Sequence, residues 1–209
     1  MSIGQLVISF GVSFSLLLIA MTVHEFAHGL VAYKLGDSTA RLSGRLTLNP
    51  LAHIDPFWTV LLPLVLFLSS SGQFVFGAAK PVPINYQALN NPKRDIIWIG
   101  LSGPLANLIL AFIIAQVLKF IYLPAPAVYL LLNLLFINVV LALFNLIPIP
   151  PLDGSRILMG LLPEGLARQY ISLERYGFII LFAFIWLGVF ERFLWPMVGL
   201  VVRLMGVGF

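Results

Sequence analysis

An all-α, polytopic membrane fold with about four to six transmembrane helices is what this sequence predicts, and three observations carry that reading. Of its 209 residues, 60% are hydrophobic and only 10% are charged, against about 25% charge in an ordinary soluble domain. Mean hydropathy is +1.03. Apolar runs long enough to cross a hydrocarbon core of about 30 Å recur along the chain. The 12 Lys and Arg against 8 Asp and Glu give a net charge of +4. Those cations lie in short loops between apolar runs, a pattern of cytoplasmic anchoring in the cell membrane and not of a nucleic-acid surface. The absence of cysteine excludes disulfides and thiolate ligands and leaves the compartment open. The length suggests a single domain, 1–209, with a core over about residues 3–160 and C-terminal helices over about 170–206.

In chain order, the first helix is expected from Ile3 to Tyr33, stopped by Lys34 and Gly36. Its start looks like a signal peptide, yet no cation precedes Lys34 and the run continues through His24, so it is read as retained. Ser38 to Asn49 sets Leu42, Leu46 and Leu48 against Arg41, Arg45 and Thr47 with Gly44 between, which predicts a short membrane-associated β-hairpin. A turn-rich link reaches Pro56. Phe57 to Ser71 is apolar but short of the about 20 residues a span needs, and Pro63 interrupts it. It is therefore expected to be re-entrant: if it does not cross, nine of the 12 basic residues share one face, as the positive-inside rule favours. A loop rich in Gly, Pro and Asn leads to Arg94, followed by spans at about Ile96–Tyr122 and Ala127–Ile147. After a half-apolar segment to Leu162 and a polar connection to Glu174, Glu191 and Arg192 split the last apolar region into two spans, or one span and an interfacial helix. Trp58, Trp98, Trp186 and Trp195 read as interfacial anchors or packing.

The chemistry sits in His24-Glu25-Phe26-Ala27-His28, inside the first apolar run. Residues four apart on a helix lie within about 40° of each other, so both imidazoles address one point, as two metal ligands do. Glu25 lies beside that point, placed to take a proton from water at the ion and not to ligate it. Ionisable groups at mid-membrane cost about 2.5–3.5 kcal/mol each even on a lenient scale, so three within five residues require a function. Hydrolytic zinc sites usually take three protein ligands and keep one open position. Asp55 and Asp95 read as solvated caps. Asp153 follows a Pro-rich break at the end of an apolar span and precedes Gly154; it can be the third ligand or the N-cap of the segment it opens.

Together with Gly103-Pro-Leu-Ala-Asn107 and Asn145-Leu-Ile-Pro-Ile-Pro-Pro-Leu-Asp153-Gly154, the motif resembles the site-2 proteases, the zinc metalloproteases of regulated intramembrane proteolysis. The likeness covers about residues 10–160, in the family's order. It implies zinc held by His24, His28 and Asp153, Glu25 as general base, and Asn107 and Asn145 at the substrate backbone or oxyanion. The substrates it implies are single-span membrane proteins or peptides, met in the lipid bilayer, with the active site toward the cytoplasmic side. A homo-oligomer is compatible with it. The chain is similar to compact prokaryotic members in lacking PDZ and CBS domains. Their Asn-Pro-x-x-His context matches Asn49 to His53, leaving His53 a replaceable ligand, a substrate-orienting group or an ordinary loop histidine. From another class, a metal-binding transporter or inactive scaffold shares the ligands but has no need of Glu25.

Overall fold

Helical structure dominates because the apolar runs have no water to satisfy their backbone groups and must bond internally. The computed structural model describes residues 3–70 and 77–207. The end of the expected re-entrant stretch and the start of the loop after it lie outside those residues. Among the described residues there are no strands. The long helices are α1 (Ile3–Lys34), α4 (Pro92–Phe120) and α5 (Ala125–Asn145). Between α1 and α4 lie a single turn, α2 (Thr39–Leu42), and α3 (Leu62–Ser69), which continues a π-turn over Pro56–Leu61. The chain ends in α6 (Asp153–Leu161), α7 (Glu164–Ile171), α8 (Gly177–Trp186) and α9 (Val189–Leu204).

Among the described residues, three helices are long and apolar enough to cross a membrane, or four spans if the pair broken before α9, which bends by 79°, counts as one. That lies at or below the lower end of the four to six expected from the sequence. The break falls at Gly188, whose φ of +67° suits glycine, one turn before the charges Glu191 and Arg192. Val198 and Val202 of α9 then pack on Ala111, Ile114 and Ala115 of α4 and on Leu135 and Val139 of α5. Central α4 touches α1, α5 and α6, which sets up the site.

The α3 excursion begins and ends at one level: Ala78 N–H donates to the Trp58 carbonyl at 3.1 Å and Thr59 Oγ1 to the Ala78 carbonyl at 2.7 Å. These bonds join the start of the excursion to Ala78, and the apolar helix between them is shorter than a span. The β-hairpin is not formed. Asp37, fully buried, accepts from Thr39 N at 2.9 Å and Thr39 Oγ1 at 2.5 Å, starting a helical turn where the first strand was expected. Leu42 and Leu48 are 85% and 58% exposed, so the alternation has no buried face to point at. Asp55 does cap, accepting from Phe57 N and Trp58 N at 2.9 Å. Asp95 also caps, accepting from Asn91 N at 2.7 Å, but is buried and not solvated.

Asp37 also accepts from Asn85 N at 2.7 Å, tying the loop before α4 to the end of α1. Burial alone pushes its carboxyl up; the donors from Thr39 and Asn85 outweigh that and hold it below the ordinary value. A folded-state pKa below the unfolded one contributes stability that is present above the unfolded value of about 3.9 and lost as pH falls through the folded one. Asp37→Ala is expected to cost about 2 kcal/mol at pH 7 by stranding buried donors. Thermal unfolding in detergent measures this, and the gap to wild type narrows below about pH 4.

Candidate metal centre

His24 and His28 leave α1 on one face, at the depth where α4 and the start of α6 converge. Their Nε2 atoms are 3.0 Å apart, and Asp153 Oδ2 lies 2.9 Å from the first and 3.1 Å from the second. Both histidines are buried, and the Asp153 side chain is 13% exposed. Asp153 opens α6 at its first helical position, and the preceding Leu152 makes no side-chain cap. Its carboxylate is turned toward the two imidazoles.

The outer ring nitrogens decide what the inner ones carry. Asn107 Nδ2 donates to the Ala20 carbonyl at 3.0 Å and to Asn138 Oδ1 at 2.7 Å, which turns Asn107 Oδ1 toward His24 Nδ1 at 2.6 Å. Asn138 is held in turn by donating to the Leu134 carbonyl at 2.8 Å. His24 therefore has its proton on Nδ1. His28 Nδ1 faces the Ile99 carbonyl at 2.7 Å and takes its proton the same way, with Ser102 Oγ at 3.2 Å. Both Nε2 atoms thus aim lone pairs at one another and at a carboxylate. Three such lone pairs at about 3 Å repel one another unless a metal ion or a proton sits among them. A tetrahedral ion with bonds of about 2.0–2.1 Å sets its ligands about 3.3 Å apart, close to the separations seen. Two imidazoles and one carboxylate are a zinc donor set, so the residues fit the ion.

α4 makes room for this at Gly103. A Cβ there would lie 2.5 Å from His28 Nε2 and 2.7 Å from His24 Nε2, so no residue with a side chain can occupy the position with the rings as they stand. Gly154 lies similarly under the turn at Leu146 and Ile147, where a Cβ would be 2.5 Å from the Ile147 carbonyl oxygen. Glu25 is partly buried beside the group, and its Oε2 accepts from Val82 N at 2.8 Å.

Comparison with known proteins points the same way. Peptidase family M50 matches residues 123–188, the part that carries Asp153. YwhC of Bacillus subtilis, provisionally named a zinc metalloprotease, is 39% identical over 88% of this chain and 84% of its own length. The chain belongs to peptidase family M50. Rip2 of Mycolicibacterium smegmatis, likewise provisionally named, is 32% identical over 78% of this chain and 62% of its own length. The zinc metalloprotease MJ0392 of Methanocaldococcus jannaschii is 29% identical over 75% of this chain and 36% of itself. No solved structure matches. As an M50 member with several apolar helices, this is a membrane metalloprotease, and its cofactor is zinc.

Among the described residues, this M50 chain brings His24, His28 and Asp153 into one ligand group. His53 is not in it: buried, it donates from Nε2 to the Thr47 carbonyl at 2.9 Å. Asn145 Nδ2 returns to the Leu141 carbonyl of its own helix at 2.9 Å. Asn107 is fully buried with both ends engaged, which makes it an orienting group for His24. Asn138 and Ser102 were not singled out from the sequence, and Gly103 enters there only as the first residue of the motif that ends in Asn107. Asn138 was discoverable, as an amide in mid-span that needs a partner. Asn107→Ala is expected to weaken zinc binding by about 10–100-fold, read by chelator competition. Gly103→Ala, which pushes the rings apart, should leave purified protein with substoichiometric zinc by elemental analysis.

Proposed function

We propose that this protein is an intramembrane endopeptidase that hydrolyses peptide bonds within or near the transmembrane segments of single-span membrane proteins. The observation that carries the reading is the depth of the ligand group on α1. His28 and His24 lie six and ten residues before Lys34, so at a rise of about 1.5 Å per residue they sit about 9 and 15 Å inside the helix end. The hydrocarbon core is about 30 Å thick. The reaction would therefore run inside the bilayer region, on chain that is itself in the membrane. The C-terminal helices belong to the same single domain, and regulated intramembrane proteolysis is the process such a site suits.

Zinc supplies Lewis acidity there, acidifying water and polarising a carbonyl oxygen. Glu25, beside the ligands and outside the donor set, takes a proton from attacking water and passes it to the departing amine. His24 and His28 hold their tautomers through Nδ1, so neither competes for that proton. A helical substrate keeps its carbonyls in internal hydrogen bonds and must unwind before attack, in a cavity lined by protein. With the Ser38–Asn49 hairpin absent, that stretch offers no strand edge to receive it.

The charge distribution supports a cytoplasmic orientation for the site in the cell membrane. Lys93 and Arg94 lie in the first turn of α4, beside the end of α1 that carries Lys34, while Lys119 closes its far end. Membrane lipid surrounds the protein, and a second copy is compatible with its apolar exterior.

Glu25→Gln is expected to lower cleavage of single-span peptides by at least about 10²-fold with zinc content unchanged. Turnover assays on purified protein in detergent, paired with metal analysis, test this. Undiminished cleavage in that variant would remove the proposed chemistry.

A further inference from the structure

We infer that the backbone amide of Val82 is a positioning group for the catalytic base, locking the Glu25 carboxylate through one oxygen so that the other faces water. The inference rests on Glu25 being that base. Between the α3 excursion and α4, residues 77–85 run alongside the C-terminal part of α1 without helix or strand structure. Alternate residues turn their backbone inward. Ala78 N–H reaches the Trp58 carbonyl, Lys80 N–H the His53 carbonyl at 2.9 Å, and Val82 N–H Glu25 Oε2 at 2.8 Å. Arg45 Nη2 clasps the same strap by donating to the Lys80 carbonyl at 2.7 Å. Asn85, bonded to Asp37, closes it.

The sequence Lys80-Pro-Val-Pro-Ile84 makes the Val82 contact specific. Proline has no N–H, so Val82 carries the sole amide donor between Lys80 and Ile84. A residue before proline is driven into the extended region, which fixes both Lys80 and Val82. The donor is thus isolated and preset in direction. The Val82 side chain is buried and packs over Gly29, where a Cβ would lie 3.2 Å from Val82 Cγ1. Pro81 and Pro83 face outward. So many ties fix the strap that it is built into the site and does not act as a lid over it. Glu25 has two oxygens and its side chain is free to rotate unless one of them is held. With Oε2 held, Oε1 remains to receive and return a proton.

The test compares Val82→Pro, which deletes the N–H and keeps an extended backbone, with Val82→Ala, which keeps the N–H and trims the packing. Zinc-loaded protein in detergent is assayed on a single-span peptide, with zinc measured in each sample. Val82→Pro is expected to lose about tenfold or more in kcat, as a misplaced group does, with KM within about twofold and zinc retained. Val82→Ala recovers most of that loss. Unaltered kcat in Val82→Pro at full zinc overturns the inference, as does a rise in kcat, which would make the strap an obstruction, or an equal loss in Val82→Ala.

A second measurement stands if Val82→Pro does not fold. Hydrogen exchange at the Val82 amide is expected to be slow in the zinc-loaded wild type and in Glu25→Gln, whose side-chain oxygen still accepts. In Glu25→Ala it is faster by about tenfold or more; equal rates in all three overturn the contact. Exchange reads no catalysis, so it separates failure of this inference from failure of Glu25 as base, which the activity of Glu25→Gln decides.

Discussion

Two imidazole lone pairs and a carboxylate oxygen within about 3 Å of one another, among apolar helices, are the constraint on which this structure turns. With neither a metal ion nor a proton among them these lone pairs repel, and their burial keeps bulk water from relieving it. The surrounding residues make sense as what is needed to keep it assembled. Asn107 and Ile99 fix the tautomers, Gly103 leaves the rings their space, and Gly154 lets α6 begin close under the turn that ends α5.

This explains why α4 is the centre of the fold. It carries the Ile99 carbonyl, Ser102, Gly103 and Asn107 within three turns, and so supplies the outer support of both histidines and the room for their rings. The polar chain then runs on through Asn138 to α5, joining three helices by hydrogen bonds where lipid-like surroundings provide little other specificity. Packing of α9 on α4 and α5 buries the far half of this core.

What was legible in the sequence was whatever violated the apolar background. His24, Glu25, His28 and Asp153 stand out because ionisable groups in such runs are costly, and the helical repeat places the histidines together. The direction of the Asp153 carboxylate was not legible, since a cap and a ligand call for the same residue after the same proline-rich turn. The hairpin expectation failed on Asp37: alternation of Leu with Arg and Thr predicts a strand only where one face can be buried, and a local carboxylate bonding Thr39 started a helical turn first. The C-terminal break was misplaced for a related reason. Glu191 and Arg192 mark residues that need water, whereas Gly188 marks where the backbone can turn.

The strap at Lys80–Ile84 raises the question of why a backbone amide, and not a side chain, holds Glu25 in place. A lysine or arginine donor beside the histidines would bring a second charge to a site already hard to desolvate, and would compete with the cation for the carboxylates. An asparagine or glutamine would add a rotamer to be fixed and further polar atoms to be satisfied. A peptide N–H carries no net charge and no side-chain freedom, and flanking prolines remove the neighbouring donors that could draw the carboxylate elsewhere. The same peptide unit anchors the strap against Gly29 through the Val82 side chain. Orientation of Glu25, the proposed base, and closure of the loop over α1 are thus one contact, so a change that loosens the loop is felt at Glu25 before it reaches the candidate ligands.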